Sequence, residues 1–152
     1  MKKILFILLA LLPFMAVAES GWVYTEYGAG IDSDYEYVTG DYDSPTILRL
    51  MLSKDAKGKN VLIFVLKGEC QIHSFRKNQQ YVKVEFGMFD VDKWRIKEVD
   101  YQGWHCQAFL IVNVDQFIRK LKKAEYFSVT LPLYEHGTQT FFFNADGYPL
   151  DW

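Results

Sequence analysis

The stretch Gly103–Lys123, GWHCQAFLIVNVDQFIRKLKK, decides the fold because it reads as a strand running directly into a helix. Apolar residues in its second half recur at i, i+3, i+4 and i+7, which is the spacing of one helical stripe. They are Val114, Phe117, Ile118 and Leu121. Basic residues fill the last turn, where they suit the negative end of the helix dipole. We expect an amphipathic helix over about residues 113–124.

The two ends of the predicted strand–helix unit carry further signals. Asn113 is the expected N-cap, with Gln116 three residues later as its reciprocal partner. Upstream, alternate residues share a strand face. One face holds Cys106, Ala108, Leu110 and Val112, and the other holds His105, Gln107, Phe109 and Ile111. We expect the cysteine to lie with the apolar neighbours and the histidine to face outward.

The chain begins MKKILFILLALLPFMAVAES, which has the order of a secretory signal peptide. Lys2 and Lys3 precede the apolar run Ile4–Leu12, and Ala16-Val17-Ala18 offers a small-x-small cleavage site. The apolar run is too short to span a bilayer comfortably. We expect cleavage near Ala18, a single domain over residues 19–152, a periplasmic location and no membrane insertion after cleavage.

Charge and cysteine count narrow the class of protein. The formal net charge is −2, and loss of the two signal-peptide lysines makes it two charges more negative. Nucleic acid is an unsuitable partner, since its binders need a basic footprint. The chain has 2 cysteines, and exported proteins fold in an oxidising compartment. A disulfide between Cys70 and Cys106 is therefore predicted.

Short apolar segments separated by turns predict a mainly β fold. Predicted strands are Trp22–Tyr27, Tyr35–Thr39, Thr46–Leu52, Val61–Leu66, Tyr81–Met88, Trp94–Val99, Tyr126–Leu131 and Thr138–Phe143. Predicted turns include Ser53–Asn60, Asp90–Lys93 and Glu135–Gly137. The expected class is α+β, mainly β: an antiparallel β-sandwich or small barrel with one C-terminal helix.

The order of motifs after Cys70 resembles the small periplasmic accessory proteins of type VI secretion systems (the VasI type) and related periplasmic domains of unknown function. The matching residues are Cys70, Met88-Phe89-Asp90, Trp94, Phe117-Ile118…Leu121 and Phe143…Gly147. Met88 stands where the family has an arginine. The resemblance covers roughly the last half of the chain and implies a periplasmic, non-enzymatic accessory role.

Two groups of residues have the ligand types of a metal site, and each has a simpler interpretation. Cys70, His73, His105 and Cys106 supply zinc-ligand types, but the strand pattern places each cysteine and its neighbouring histidine on opposite faces. Residues 32–43 place acids at four positions of a calcium-loop template, but Tyr37 stands where the turn needs glycine. A disulfide and a solvated acidic loop are the expected outcomes, with no metal and no cofactor.

Catalytic signals are sparse. No GxSxG, HExxH, P-loop or GxGxxG motif occurs. Acids two residues apart occur at Asp90/Asp92 and Asp41/Asp43, where we expect solvated turn residues. A small envelope hydrolase built on such acids is the alternative from the enzyme class.

Tyrosines interleaved with acids distinguish the N-terminal part of the mature chain. Tyrosine provides contact area at low entropic cost, so this pattern is typical of a recognition surface as well as of a covered sheet. The candidate partner-binding residues are Tyr24, Tyr27, Tyr35, Tyr37, Asp41, Tyr42 and Asp43.

The sequence thus predicts a non-catalytic periplasmic accessory protein that docks on another envelope or secreted protein. The alternative within the binding class is an immunity or inhibitor protein that neutralises a toxic envelope enzyme, its acidic surface filling a basic cleft.

Overall fold

Alternating apolar residues build a nine-stranded sheet in the part of the chain that the computed structural model describes, residues 21–26, 28–34, 45–68, 72, 81–99, 107–133 and 135–146. The strands are β1 (Trp22–Thr25), β2 (Gly28–Asp32), β3 (Ile47–Lys54), β4 (Asn60–Lys67), β5 (Tyr81–Phe86), β6 (Asp90–Val99), β7 (Gln107–Ile111), β8 (Tyr126–Leu133) and β9 (Gly137–Asn144). Helix α1 (Val114–Leu121) follows β7.

All neighbouring strands are antiparallel, in the order β1-β2-β3-β4-β7-β6-β5-β8-β9. The sheet curls so that its two ends meet. The Asp34 backbone N–H, just after β2, donates to the Phe142 carbonyl of β9 at 2.9 Å. The Trp22 indole N–H of β1 donates to the Ala145 carbonyl at 3.4 Å. The result is a curled half-barrel, which confirms the predicted mainly β, α+β class.

The concave face of the half-barrel holds the hydrophobic core. Each strand buries one alternating set of side chains, as the period of two requires. On β3 these are Leu48, Leu50 and Leu52, which the sequence predicted. Rings from β4 and β9 meet across the curl, since the Phe64 and Phe143 centroids are 6.0 Å apart.

Helix α1 packs on this concave face through Phe117. Its ring lies edge-on to Phe64, Phe86, Trp94 and Phe127, at centroid distances of 6.0, 5.0, 5.0 and 6.2 Å. The predicted stripe is confirmed: three of its four residues are buried and Val114 is partly buried. The helix is shorter than expected, and Asn113 makes no side-chain cap bond, because its amide donates to the Gln116 side chain at 2.7 Å.

Three strand assignments need correction. β2 lies in a glycine-rich stretch where the sequence predicted no strand. β6 begins at Asp90, so the residues predicted to turn between Asp90 and Lys93 are paired with β5. On β7 the core face is the one with Phe109 and Ile111, not the one with Leu110. Because β7 is apolar on both faces, its period of two could not decide which face is buried. The predicted turn at Glu135–Gly137 is confirmed, with positive φ at both of those residues.

Candidate functional site

An apolar groove lies on the convex face of β1, β2 and β3. Its volume is about 260 Å³, and Val23, Gly30 and Met51 form one register row across it. Ala29 and Ile31 point to the core, so the alternating Gly28 and Gly30 present bare backbone on the convex side. The backbone of these two glycines forms the floor of the groove, and the side chains of Val23 and Met51 form its walls.

An ion pair closes one end of this groove. Arg49 of β3 donates to both carboxylate oxygens of Asp32 on β2, at 2.5 and 2.6 Å. The two residues face each other in the strand register. Both side chains are more than a third exposed, so solvent screens the pair and its contribution to stability is small. Its bidentate geometry holds a polar rim beside the apolar floor.

Strand β1 exposes side chains on both of its faces. Val23, on the groove side, is 66% exposed, and Tyr24, on the opposite side, is 47% exposed. Among the described strands, β1 borders β2 alone and forms one end of the sheet order. A partner that meets this strand can therefore contact Tyr24 and the groove together.

Tyr24 is the one predicted partner-binding residue within the described ranges. The remaining six lie outside the described residues, and their role stays a prediction: Tyr27, Tyr35, Tyr37, Asp41, Tyr42 and Asp43. Sequence reasoning missed Val23 and Met51, which wall the groove. The available signal was the Gly28-Ala29-Gly30 alternation next to an apolar strand, which marks a bare strip on one sheet face.

The candidate metal and disulfide residues are mostly outside the described ranges. Cys70, His73, His105 and Cys106 all lie there, so the predicted disulfide stays a prediction. Of the acids in the calcium template, Asp32 and Asp34 are described; the Asp32 carboxylate binds Arg49, and Asp34 is exposed. Within the described residues, no group of three or more His, Cys, Asp or Glu side chains could hold a metal ion.

The acid pair Asp90 and Asp92 is engaged by the helix. Lys120 of α1 donates to Asp90 at 2.5 Å and also donates to Asp92. Its Nζ also lies 5.9 Å from the Phe86 ring centroid. The bonds to Asp90 and then Asp92 raise the pKa of Lys120 above its usual 10.5. These carboxylates therefore tie α1 to β6 and are not solvated turn formers as the sequence predicted.

Lys120→Met should lower the free energy of unfolding by about 1 kcal/mol, because two half-exposed carboxylates lose their shared cation. Since the folded state raises the pKa of Lys120, its stabilising effect is complete below about pH 10.5 and decreases as pH rises through the folded-state pKa. Urea unfolding of both proteins from neutral to alkaline pH measures this difference. Lys57→Met, in the β3–β4 turn, is the matched control and should change little; an equal loss in both variants contradicts the prediction.

Comparison of the chain with family models, with curated proteins and with solved structures finds no match. Within the described part of the chain, no helix has the length and apolarity needed to cross a membrane.

Proposed function

We propose that the protein is an exported, non-catalytic binding protein of the periplasm that docks on another envelope or secretion-system protein. Strand β1 and the adjoining groove form the docking surface. The observation that carries the proposal is the apolar groove itself, open on the convex face beside the exposed Val23. Apolar recesses of this kind receive the buried anchor side chains that dominate protein–protein affinity.

The size of the groove favours a protein partner over a small molecule. Small-molecule pockets usually have volumes of about 300–1,000 Å³ and bury most of the ligand. The groove measures about 260 Å³ and is open along one side. It has room for one or two large side chains, and its flat glycine floor suits the face of an aromatic ring.

The surroundings of the groove match the anatomy of a protein interface. An apolar centre with a polar rim is the usual arrangement, and the Asp32–Arg49 pair supplies such a rim. Tyr24 adds an aromatic contact on the other side of β1. In this proposal the predicted Tyr/Asp residues of segment 27–43 extend the same surface, and the type VI secretion resemblance implies the class of partner.

Affinity capture from envelope extract tests the docking surface. The columns carry immobilised residues 19–152 as wild type, as Val23→Glu/Met51→Glu, or as Val112→Glu. Val112 is 50% exposed outside the groove and provides the control. We expect one protein to be retained by the wild type and the control. Its affinity for the groove variant should fall at least about tenfold, because a carboxylate would be buried without a partner.

The captured protein must then be purified and its binding measured by calorimetry. If the captured protein binds the wild type, the groove variant and the control with equal affinity, the proposed surface is wrong. The same conclusion follows if no column retains a specific protein. A fourth column with Tyr35, Tyr37, Asp41 and Asp43 replaced by Ser or Asn tests the Tyr/Asp segment in the same way. A tight, strongly salt-dependent complex with a toxic enzyme would identify the immunity alternative.

A further inference from the structure

We propose that the β5–β6 hairpin, residues 81–99 and called the finger below, is a second binding site that docks on an anionic phospholipid surface. Its turn carries exposed apolar side chains, and its two strands carry a row of cations on the convex face. The contact is peripheral and does not span the bilayer. It uses residues distinct from the groove and is independent of the function proposed above.

The tip of the finger is strongly exposed. The turn Gly87–Phe89 joins β5 to β6, and Phe89 and Met88 are 92% and 70% exposed. Gly87 has φ 65° and donates its N–H to the Tyr126 carbonyl at 3.1 Å, which fixes the turn against β8. Turn residues are usually polar, so two large apolar side chains on a fixed turn have no role in the core.

Further apolar side chains extend the tip across the sheet. The register row Val91–Glu85–Ser128–Phe142 crosses β6, β5, β8 and β9 on the convex face. Val91 and Phe142 are about half exposed, and Tyr126 at the start of β8 is 45% exposed. Glu85 and the buried Ser128 stand between Val91 and Phe142 in this row, so the apolar side chains lie on either side of the hairpin and do not form one unbroken edge. Aromatic rings such as Tyr126 and Phe142 favour the membrane–water interface.

Basic side chains lie on the two strands of the hairpin, next to the apolar turn. Lys83 of β5 faces Lys93 of β6 in the register, and like charges placed opposite each other destabilise a sheet. Arg95 and Lys97 follow Lys93 on the same face, while Glu85 is the one acid on that face of the hairpin. Within the described ranges, no ion pair involves Lys83 or Lys93. An anionic surface would neutralise this row.

The spacing of tip and cations matches a lipid headgroup layer. Residues two apart on a strand are separated by about 6.8 Å, so the Lys83/Lys93 row lies about 7 Å behind Val91. The headgroup region of one leaflet is about 5–8 Å thick. With Phe89, Met88 and Val91 at the acyl boundary, the lysines reach the phosphate level.

A recess on the helix side of the tip offers room for headgroups. It lies between the Gly87 turn and the end of α1, with a volume of about 650 Å³. Arg119, Lys120 and Lys123 line it together with the acids Asp90 and Glu125. Because Lys120 already binds Asp90, Arg119 and Lys123 are the cations left to meet a phosphate.

Vesicle co-sedimentation of the mature chain tests the finger. The probes are vesicles of phosphatidylglycerol with phosphatidylethanolamine and, separately, vesicles of phosphatidylcholine, each at low and high salt. We expect binding to the anionic vesicles that weakens with salt. Lys83→Gln and Lys93→Gln should each weaken it about fivefold. Met88→Ser/Phe89→Ser should weaken it at least about tenfold.

The controls separate this site from the groove and from unfolding. Val112→Ser and Lys57→Gln remove an exposed apolar and a basic side chain elsewhere and should leave binding unchanged. Val23→Gln/Met51→Gln, which changes the groove without changing the net charge, should also bind vesicles normally, so a failure of the proposed groove interaction does not affect this test. The tip variants should keep the wild-type unfolding midpoint, since their side chains are exposed. The lysine variants should not lower it, because each removes a repulsion between opposed like charges.

Several results would overturn the lipid contact. One is that the wild type fails to bind anionic vesicles, and another is that it binds phosphatidylcholine vesicles as strongly as anionic ones. Wild-type affinity of Met88→Ser/Phe89→Ser for anionic vesicles would also contradict the proposal. A captured envelope protein that requires Phe89, with no vesicle binding, would assign the finger to a protein partner.

Discussion

Phe117→Ala should lower the free energy of unfolding by about 3–5 kcal/mol, the usual cost of removing a fully buried ring. Phe117 is 0% exposed and touches rings from β4, β5, β6 and β8. Those rings belong to four separate strands whose spacing the sheet fixes, so they cannot close over the void. The void would lie between α1 and the concave face. Urea unfolding followed by tryptophan fluorescence measures the change, since Trp94 is one of the contacting rings.

Phe89→Ala supplies a matched control for this substitution. The same atoms are removed, but Phe89 is 92% exposed, so the free energy of unfolding should change by less than about 0.5 kcal/mol. A loss below about 1 kcal/mol for Phe117→Ala would show that α1 does not anchor the concave face. A loss of similar size in both variants would show that the turn of the β5–β6 hairpin is buried.

Replacing both cysteines, in Cys70→Ser/Cys106→Ser, should lower the free energy of unfolding by about 4 kcal/mol. A bridge that closes a loop of this length restricts the unfolded chain, in the chain-entropy account. The described neighbours of the two cysteines are consistent with it. The Ile72 backbone N–H, two residues after Cys70, donates to Oε1 of Gln107, the residue after Cys106, at 2.5 Å.

Comparison of oxidised and reduced wild type with the double variant tests the bridge. Reductant should lower the unfolding midpoint of the wild type and leave that of the double variant unchanged. Under non-reducing denaturing conditions the wild type should show no reactive thiol. Identical midpoints for all samples, or two reactive thiols, would exclude the predicted disulfide.

Local sequence patterns correctly predicted the elements that have one apolar face and one polar face. The stripe of α1 and the alternating leucines of β3 were readable because each has a single apolar side. These patterns also gave the antiparallel, mainly β class. They could not give the strand order, because the pairing of β4 with β7 and of β5 with β8 joins residues far apart in sequence.

The elements that sequence reasoning missed depend on long-range contacts. The backbones of β2 and β3 approach so closely that a Cβ on Gly28 would lie 2.1 Å from the Leu52 carbonyl oxygen. A glycine that looks like a turn former is therefore required inside a strand. Likewise, Asp90 and Asp92 look like turn acids until Lys120, on a helix formed later in the chain, is brought beside them.

The candidate site was partly predictable. Tyr24 follows from the tyrosine-rich pattern, and it is exposed in the fold. The groove did not follow, because it depends on the register that aligns Val23, Gly30 and Met51. The finger was not predicted, because the sequence placed Met88 inside a strand and the turn at Asp90–Lys93, and the lysine row depends on the pairing of Lys83 with Lys93.

The closure of the half-barrel sets the order in which the protein can complete its folding. The Trp22 indole meets the Ala145 carbonyl across 123 residues of sequence, and Asp34 meets Phe142. During synthesis the β1–β2 hairpin emerges first and can pair with β3, but its contacts with Phe142 and Ala145 cannot form until the end of the chain arrives. Contacts of such high sequence separation form slowly. A partly synthesised chain therefore lacks the contacts between the two ends of the sheet. A product truncated before β9 would also expose the strand edge of β8.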